Sequence, residues 1–190
     1  MSRNKYVGKI ARNNKHSPSI SDICFMGIDQ SLTHTGLTII RSSLNHFKIA
    51  DVVSIKTTPD FSDEERIFVI TNQIERAIKR NVVDFISIEG LAYGVQNTNT
   101  GRVLAGLFFS ILTTAIRLDR KYTVIPPKTL KKFATNNGSA EKIEMINAIP
   151  KDDLITLEKQ SSIIYKVKLF EDISDSYWLA RYGFSLEKKV

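Results

Sequence analysis

Apolar and polar positions along this chain follow two periods in turn. Residues 23–29, 36–41 and 46–55 are apolar, β-branched runs, parted by Thr35-Gly36 and by Ser42-Ser43-Leu44-Asn45. Loops this short favour antiparallel neighbours, so the three runs are expected to form a meander. Beyond the linker Thr57-Thr58-Pro59-Asp60 the period lengthens. Ile67, Ile70, Ile74 and Ile78 recur at helical spacing behind Ser62 or Asp63 as a cap. Residues 82–89 return to a nearly continuous apolar strand, as expected for a central position covered on both faces. A polar loop from Tyr93 to Thr100 leads into a long helix bearing Val103, Leu104, Leu107, Phe108, Ile111, Leu112, Ala115 and Ile116. That face is wider than one sheet contact requires, so the helix is either partly a dimer surface or deeply buried in a monomer. Residues 121–125 form a fifth strand, stopped by Pro126-Pro127. Short helices follow at 129–135 and, with Ser139 as cap, at 139–149, separated by an Asn136-Asn137-Gly138 turn. A closing helix spans about residues 172–183.

Three antiparallel strands, then alternating helix and strand, then an acidic helix is the order of the ribonuclease H-like fold. The expected class is α/β, with a central mixed five-stranded sheet flanked by helices. At 190 residues the chain suits one domain. Residues 1–21 carry Arg3, Lys5, Lys9, Arg12 and Lys15 without an acid and lack periodicity, so they read as a flexible basic arm. Residues 22–190 then form the folded domain. The lone Cys24 lies inside the first apolar run and reads as a core residue, and the scattered histidines share no ligand spacing. No continuous apolar run reaches the roughly 18 residues of a membrane span, and the N-terminus lacks the apolar core of a signal peptide. A reducing, cytoplasmic setting without membrane contact is expected.

Acidic residues stand where solubility alone does not explain them. Asp29 ends the first strand and Glu89 the fourth, while Asp172 and Asp175 lie one helical turn apart on the closing helix. Carboxylates at the ends of neighbouring strands converge, and a helix crossing that point adds the rest. Such a cluster repels itself unless a cation sits within it, and all-oxygen ligands suit Mg²⁺, with Mn²⁺ as a substitute. An acidic metal cluster in a chain of net charge +7 points to phosphodiester chemistry on nucleic acid. Taken singly, each acid has a plainer explanation: a turn residue, an exposed strand end, or, for Asp172, a helix N-cap. Asp51, Asp60, Asp84, Asp119, Asp152 and Asp153 lack a comparable setting and are expected to be solvated.

The segment Gly27-Ile28-Asp29-Gln30-Ser31-Leu32-Thr33-His34-Thr35-Gly36 resembles the first motif of the RuvC-like Holliday junction resolvases, with Gly36 permitting the return turn. Ile88-Glu89-Gly90 resembles that family's second acidic motif. Pro126-Pro127-Lys128 and Asn137-Gly138-Ser139-Ala140 with Lys142 resemble its Pro/Lys and Gly-x-Ala-x-Lys regions. Asp172-x-x-Asp175 resembles its C-terminal acidic pair. The compact chain and its Glu89-Gly90-Leu91-Ala92-Tyr93-Gly94 loop resemble a bacteriophage branch. Gln30, where many relatives carry proline, departs from the pattern, as does the basic arm.

The resemblance implies a crossover junction endodeoxyribonuclease with two Mg²⁺ ions held by Asp29, Glu89, Asp172 and Asp175. It implies 5′-phosphate and 3′-hydroxyl products and a homodimer making paired cuts. Lys142 is expected at the phosphate or the attacking water. Lys128, Lys131, Lys132, Arg12 and Lys15 are expected on DNA phosphates, and Tyr93 against a base. No helicase partner is specified. Other readings remain at this point: a branched-DNA or RNA–DNA hybrid nuclease on the same fold, or a junction-binding protein without catalysis. An actin-like ATPase would need a second comparable domain, which 190 residues do not supply. If the arm holds phosphates, deleting residues 1–21 weakens DNA binding and flattens its salt dependence. The slope of log K against log [salt] falls by up to roughly 4, at about 0.9 per contact; an unchanged slope in a binding titration would make the arm a passive tail.

Overall fold

The structure, a computed structural model, describes residues 23–43, 46–91, 98–161 and 167–187. The basic arm, with Arg12 and Lys15, and the loop residue Tyr93 lie outside the described residues. Five strands form one sheet in the order β3-β2-β1-β4-β5. Strands β1 (Cys24–Asp29), β2 (His34–Ser43) and β3 (His46–Lys56) make the antiparallel meander. Strands β4 (Phe85–Glu89) and β5 (Lys121–Ile125) run parallel to β1. This is the expected ribonuclease H-like arrangement.

Strand alternation sorts the core into two layers. Met26, Ile28, Ile86 and Ile88 face α1 (Asp63–Asn81) and α2 (Asn99–Arg117), packing with Ile70, Ile74, Leu107 and Ile111. Phe25 and Ile125 face the opposite layer, made by α3 (Pro127–Thr135), α4 (Lys142–Asn147), α5 (Lys151–Ser161) and α6 (Val167–Glu187). Cys24 is fully buried, as its run implied, and burial pushes its thiol up to about 11. Helix α2 has a length of 19 residues and a mean hydropathy of 1.2, so by length and composition it does reach the span of a bilayer. Arg102, Ser110, Thr113 and Thr114 interrupt it, so it is not a continuous apolar run. Leu107, Phe108, Ile111 and Ala115 bury one of its faces in the core, while Phe109 and Ile116 stay exposed.

Several boundaries differ from expectation for local reasons. Val82 is not strand: it is the left-handed C-cap of α1 (φ 51°), exposed where the apolar run implied burial. Asp84 is not merely solvated, because it accepts a 2.9 Å hydrogen bond from the Cys24 amide at the start of β1. Asp51 pairs with Arg80 and accepts from Asn81 at 3.0 Å, Asp60 accepts from Thr58 at 2.9 Å, and Asp153 accepts from the Tyr177 hydroxyl at 2.6 Å. Ser62 caps α1 through a reciprocal capping box with Glu65. Ser139 caps nothing; Glu141 and Glu144 form the box that starts α4. Helix α5 was not expected at all, because only Leu154 and Leu157 of its turns pack on the core.

The largest revision concerns α6. It begins five residues before Asp172, so that residue is helix interior and the N-cap reading fails. The helix lies almost on the sheet backbone. A Cβ on Gly27 would stand 2.9 Å from Leu179 Cβ and overlap the Ser176 carbonyl, and one on Gly36 would stand 2.6 Å from the Asp172 carbonyl carbon. Gly36 is therefore needed for this approach, and not for a turn: it sits inside β2, paired with Asp29. Thr38 and Ser176 join hydroxyls at 2.8 Å across the same buried seam. Replacing Gly27 by Ala is expected to cost at least ~3 kcal/mol, the upper range of overpacking. Urea denaturation reads this directly, and an unchanged midpoint would mean α6 does not seat there.

Candidate active site

Parity along the strands decides which side chains meet α6. Phe25 and Gly27 of β1 face that helix, and so does the next odd position, Asp29; Phe85 and Ser87 of β4 do the same for Glu89. The parallel register pairs Ile28 with Ile88, so the two acids leave adjacent strand ends side by side. Asp175 reaches them from α6, and Lys142 from the first turn of α4. Asp29, Glu89, Asp175, Lys142 and Lys131 line one cavity of about 140 Å³, floored by Leu130 and Met145. Asp172, one turn before Asp175, stands beside this lining, close enough for its charge to act on Asp29.

The turn after Asp29 is held by its own side chains. Thr35 Oγ1 donates to the Ser31 carbonyl at 2.6 Å and accepts from the Ser31 amide at 3.2 Å. Thr57 donates to the Leu32 carbonyl, and Arg66 Nε donates to Thr57 Oγ1 at 3.0 Å. Gln30 Nε2 donates to the Glu89 carbonyl at 3.3 Å, tying the two strand ends together. On the far side Trp178 Nε1 donates to the Met145 carbonyl at 2.9 Å, locking α4 to α6 and setting where Lys142 emerges.

The electrostatics are those of a partly compensated acid cluster. Asp29 is only 8% exposed, and burial, with Asp175, Glu89 and Asp172 adding to it, holds its carboxyl well above the usual range. Burial and then Asp175 push Glu89 up to about 7, against the pull of Lys142 and Lys131. Asp172 rises to about 6, mainly by burial, with Lys142 and His34 opposing. Asp175 is also raised, by burial and by Glu171, although Lys142 opposes. The Lys142 ammonium, 3.7 Å from Asp175 and 3.2 Å from Glu171, is held charged: burial disfavours it, but Asp175, Asp29 and Glu171 outweigh that.

Among the described residues, no three acid or histidine side chains already stand in a metal-holding arrangement, so a cation would have to draw the carboxylates inward. The donor set itself fits one. Several carboxylates that repel one another in a cavity whose anionic donors are all oxygen suit a hard divalent ion, whose charge reverses the local penalty. Of the residues expected from sequence, Asp29, Glu89, Asp175, Lys131 and Lys142 share the cavity, and Asp172 adjoins it. Lys128 and Lys132 are exposed on α3 and do not line it. Tyr93, Arg12 and Lys15 fall outside the described residues. Sequence reasoning missed His34 and Glu171: Glu171 had only its place one turn before Asp175 as a signal, and His34, which meets Asp172 through the fold alone, had none.

Comparison with known proteins agrees with the fold. The profile of the crossover junction endodeoxyribonuclease RuvC family matches residues 25–163. A crossover junction endodeoxyribonuclease RuvC of Mycobacterium sp. (strain KMS) is 29% identical over 125 residues, which is 65% of this chain and 67% of that protein. One from Fusobacterium nucleatum subsp. nucleatum is 29% identical over 126 residues, 66% of either chain. Among solved structures, T. thermophilus RuvC in complex with a Holliday junction substrate superposes with a TM-score of 0.66 at 16% identity, covering 87% of this chain and 96% of that one. The yeast mitochondrial Holliday junction resolvase gives 0.57 at 15% identity, covering 90% and 83%. At such identities these structures speak for the fold alone.

The raised acids make stability depend on pH. A carboxyl raised in the fold favours the folded state fully below its unfolded value and loses that contribution as pH climbs through the raised one. For Glu89 and Asp172 the loss runs from about 4 to about 7. Chelator-treated protein should therefore have a lower Tm at pH 8 than at pH 5.5, and Asp29→Asn should raise the Tm at pH 8. A calorimetric Tm that climbs from pH 5.5 to 8, or falls in the Asn variant, would contradict the repulsive cluster.

Proposed function

The chain belongs to the crossover junction endodeoxyribonuclease RuvC family, and we propose that it hydrolyses DNA strands at four-way junctions in the cavity where Asp29, Glu89 and Asp175 meet beside Asp172. The observation that carries this reading is the convergence of acids from β1, β4 and α6, each raised by burial and by its neighbours, inside a chain of net charge +7.

The carboxylates of Asp29, Glu89, Asp172 and Asp175 would hold Mg²⁺, two ions per site, with Mn²⁺ able to replace it. Such ions lower the pKa of an attacking water and stabilise the leaving 3′ oxygen. The chain's own residues do the rest. Asp29 and Glu89 stand at strand ends tied by Gln30, so their backbones keep their spacing while the carboxylates turn toward a cation. Lys131 and Lys142 set positive charge at the rim of an acidic cavity. They attract the scissile phosphate, which the carboxylates alone would repel. The apolar floor of Leu130 and Met145 limits access of bulk water.

A four-way junction has near two-fold symmetry, which a homodimer with two equivalent sites matches. Phe109 and Ile116 lie seven positions apart on one face of α2, at 61% and 62% exposure, with Phe68 of α1 at 67%. We assign the dimer contact to this apolar face. A double substitution Phe109→Glu with Ile116→Glu is expected to give particles of about 21.5 kDa in light scattering, where the unaltered chain gives twice that mass. A wild-type protein that is monomeric both free and on a junction would remove the paired-cut reading.

For the chemistry, Asp29→Asn should abolish cleavage of a labelled four-way junction in Mg²⁺ while leaving junction binding intact. The loss is expected to exceed a hundredfold, because one ligand and its charge leave the site. A variant that cuts at near the wild-type rate would show that Asp29 holds no catalytic ion.

A further inference from the structure

Lys142 occupies an electrostatically awkward position. It is the first residue of α4, where the helix end carries partial positive charge and disfavours a cation. Its side chain is half exposed, on a stem long enough to leave the site for solvent. Two carboxylates hold it in place. Glu171 and Asp175 lie four residues apart on α6 and so share a helix face. Glu171 Oε2 is 3.2 Å from Lys142 Nζ, and Asp175 Oδ2 is 3.7 Å from it.

The two partners are not equivalent. Asp175 lines the acidic cavity, whereas Glu171 does not. With its charge committed to a divalent cation in that cavity, Asp175 would no longer hold the ammonium. Glu171 then remains as the anion that keeps Lys142 at the rim. We propose that Glu171 is a positioning residue for the cleavage reaction: it tethers Lys142 beside the cavity, facing the scissile phosphate, once Asp175 is committed to a cation. This rests on the reading of the cavity as the cleavage site with Lys142 at the phosphate.

A double-mutant cycle on the full-length protein tests it. Single-turnover cleavage of a labelled four-way junction in saturating Mg²⁺ is measured for the wild type, Glu171→Gln, Lys142→Met and the double variant. Glu171→Gln is expected to slow cleavage between about tenfold and a hundredfold, the scale of a displaced catalytic group. Its junction affinity without divalent metal and its Tm should stay near wild type, since a partly exposed ion pair contributes little to folding. Lys142→Met should slow cleavage at least as much, and the double variant should be no slower than Lys142→Met. Glu171→Asp, which keeps the charge, should recover part of the rate.

Wild-type cleavage by Glu171→Gln, with Lys142→Met impaired, would overturn the tether and leave the lysine's role standing. Effects that multiply in the double variant would also overturn it, because Glu171 would then act independently of Lys142. Full activity in Lys142→Met would overturn the underlying reading of that lysine and the tether with it.

Discussion

The site depends on how closely α6 lies against β1 and β2. Gly27 and Gly36 leave no side chain between the sheet and the helix, so the helix backbone at Ser176 and Asp172 takes the space their Cβ atoms would fill. Helices on sheets normally stand off by a layer of side chains. Removing that layer brings Asp175 within charge-coupling range of Asp29 and Glu89, and Asp172 within range of Asp29. The seam carries small residues on the helix too: Ser176 bonds Thr38, and Ala180 sits over Gly27. A longer side chain at any of these points would lift the helix and separate the acids.

That closeness has an electrostatic cost, visible in the raised carboxyls. Several buried acids within reach of one another destabilise the fold at neutral pH unless positive charge enters. Part of that charge is built in, as Lys142 and Lys131 both oppose the shifts of Glu89 and Asp175. Lys142 is delivered by α4, which Trp178 fastens to α6 through the Met145 carbonyl. The same helix therefore carries two acids and anchors the cation that faces them. The negative charge that the lysines leave uncompensated would favour entry of a divalent ion. Two glycines, a packing feature, thus set how closely the acids of the cavity crowd together.

Much of this was legible in the sequence. The strands announced themselves by short apolar runs, and α1 by its isoleucine spacing, because each buries a regular stripe. The acids at strand ends were legible because period-2 alternation places Asp29 and Glu89 on the same side as Phe25 and Phe85. Less could be read where order comes from tertiary contact. Helix α5 packs through little more than Leu154 and Leu157, and α6 begins well before Asp172. The purpose of Gly36 was misread, because nothing local distinguishes a glycine needed for a turn from one needed under a crossing helix. Glu171 had no signal beyond its place one turn before Asp175: its partner lies 29 positions away, on an element whose placement depends on Trp178.

The central claim is that acids from β1, β4 and α6 form one cation site. Anomalous diffraction from crystals of the protein with a four-way junction and Mn²⁺ tests it most directly. The account predicts two manganese peaks between the carboxylates of Asp29, Glu89, Asp172 and Asp175. A well-ordered complex whose only manganese lies elsewhere, or whose carboxylates remain apart around Lys142, would contradict it.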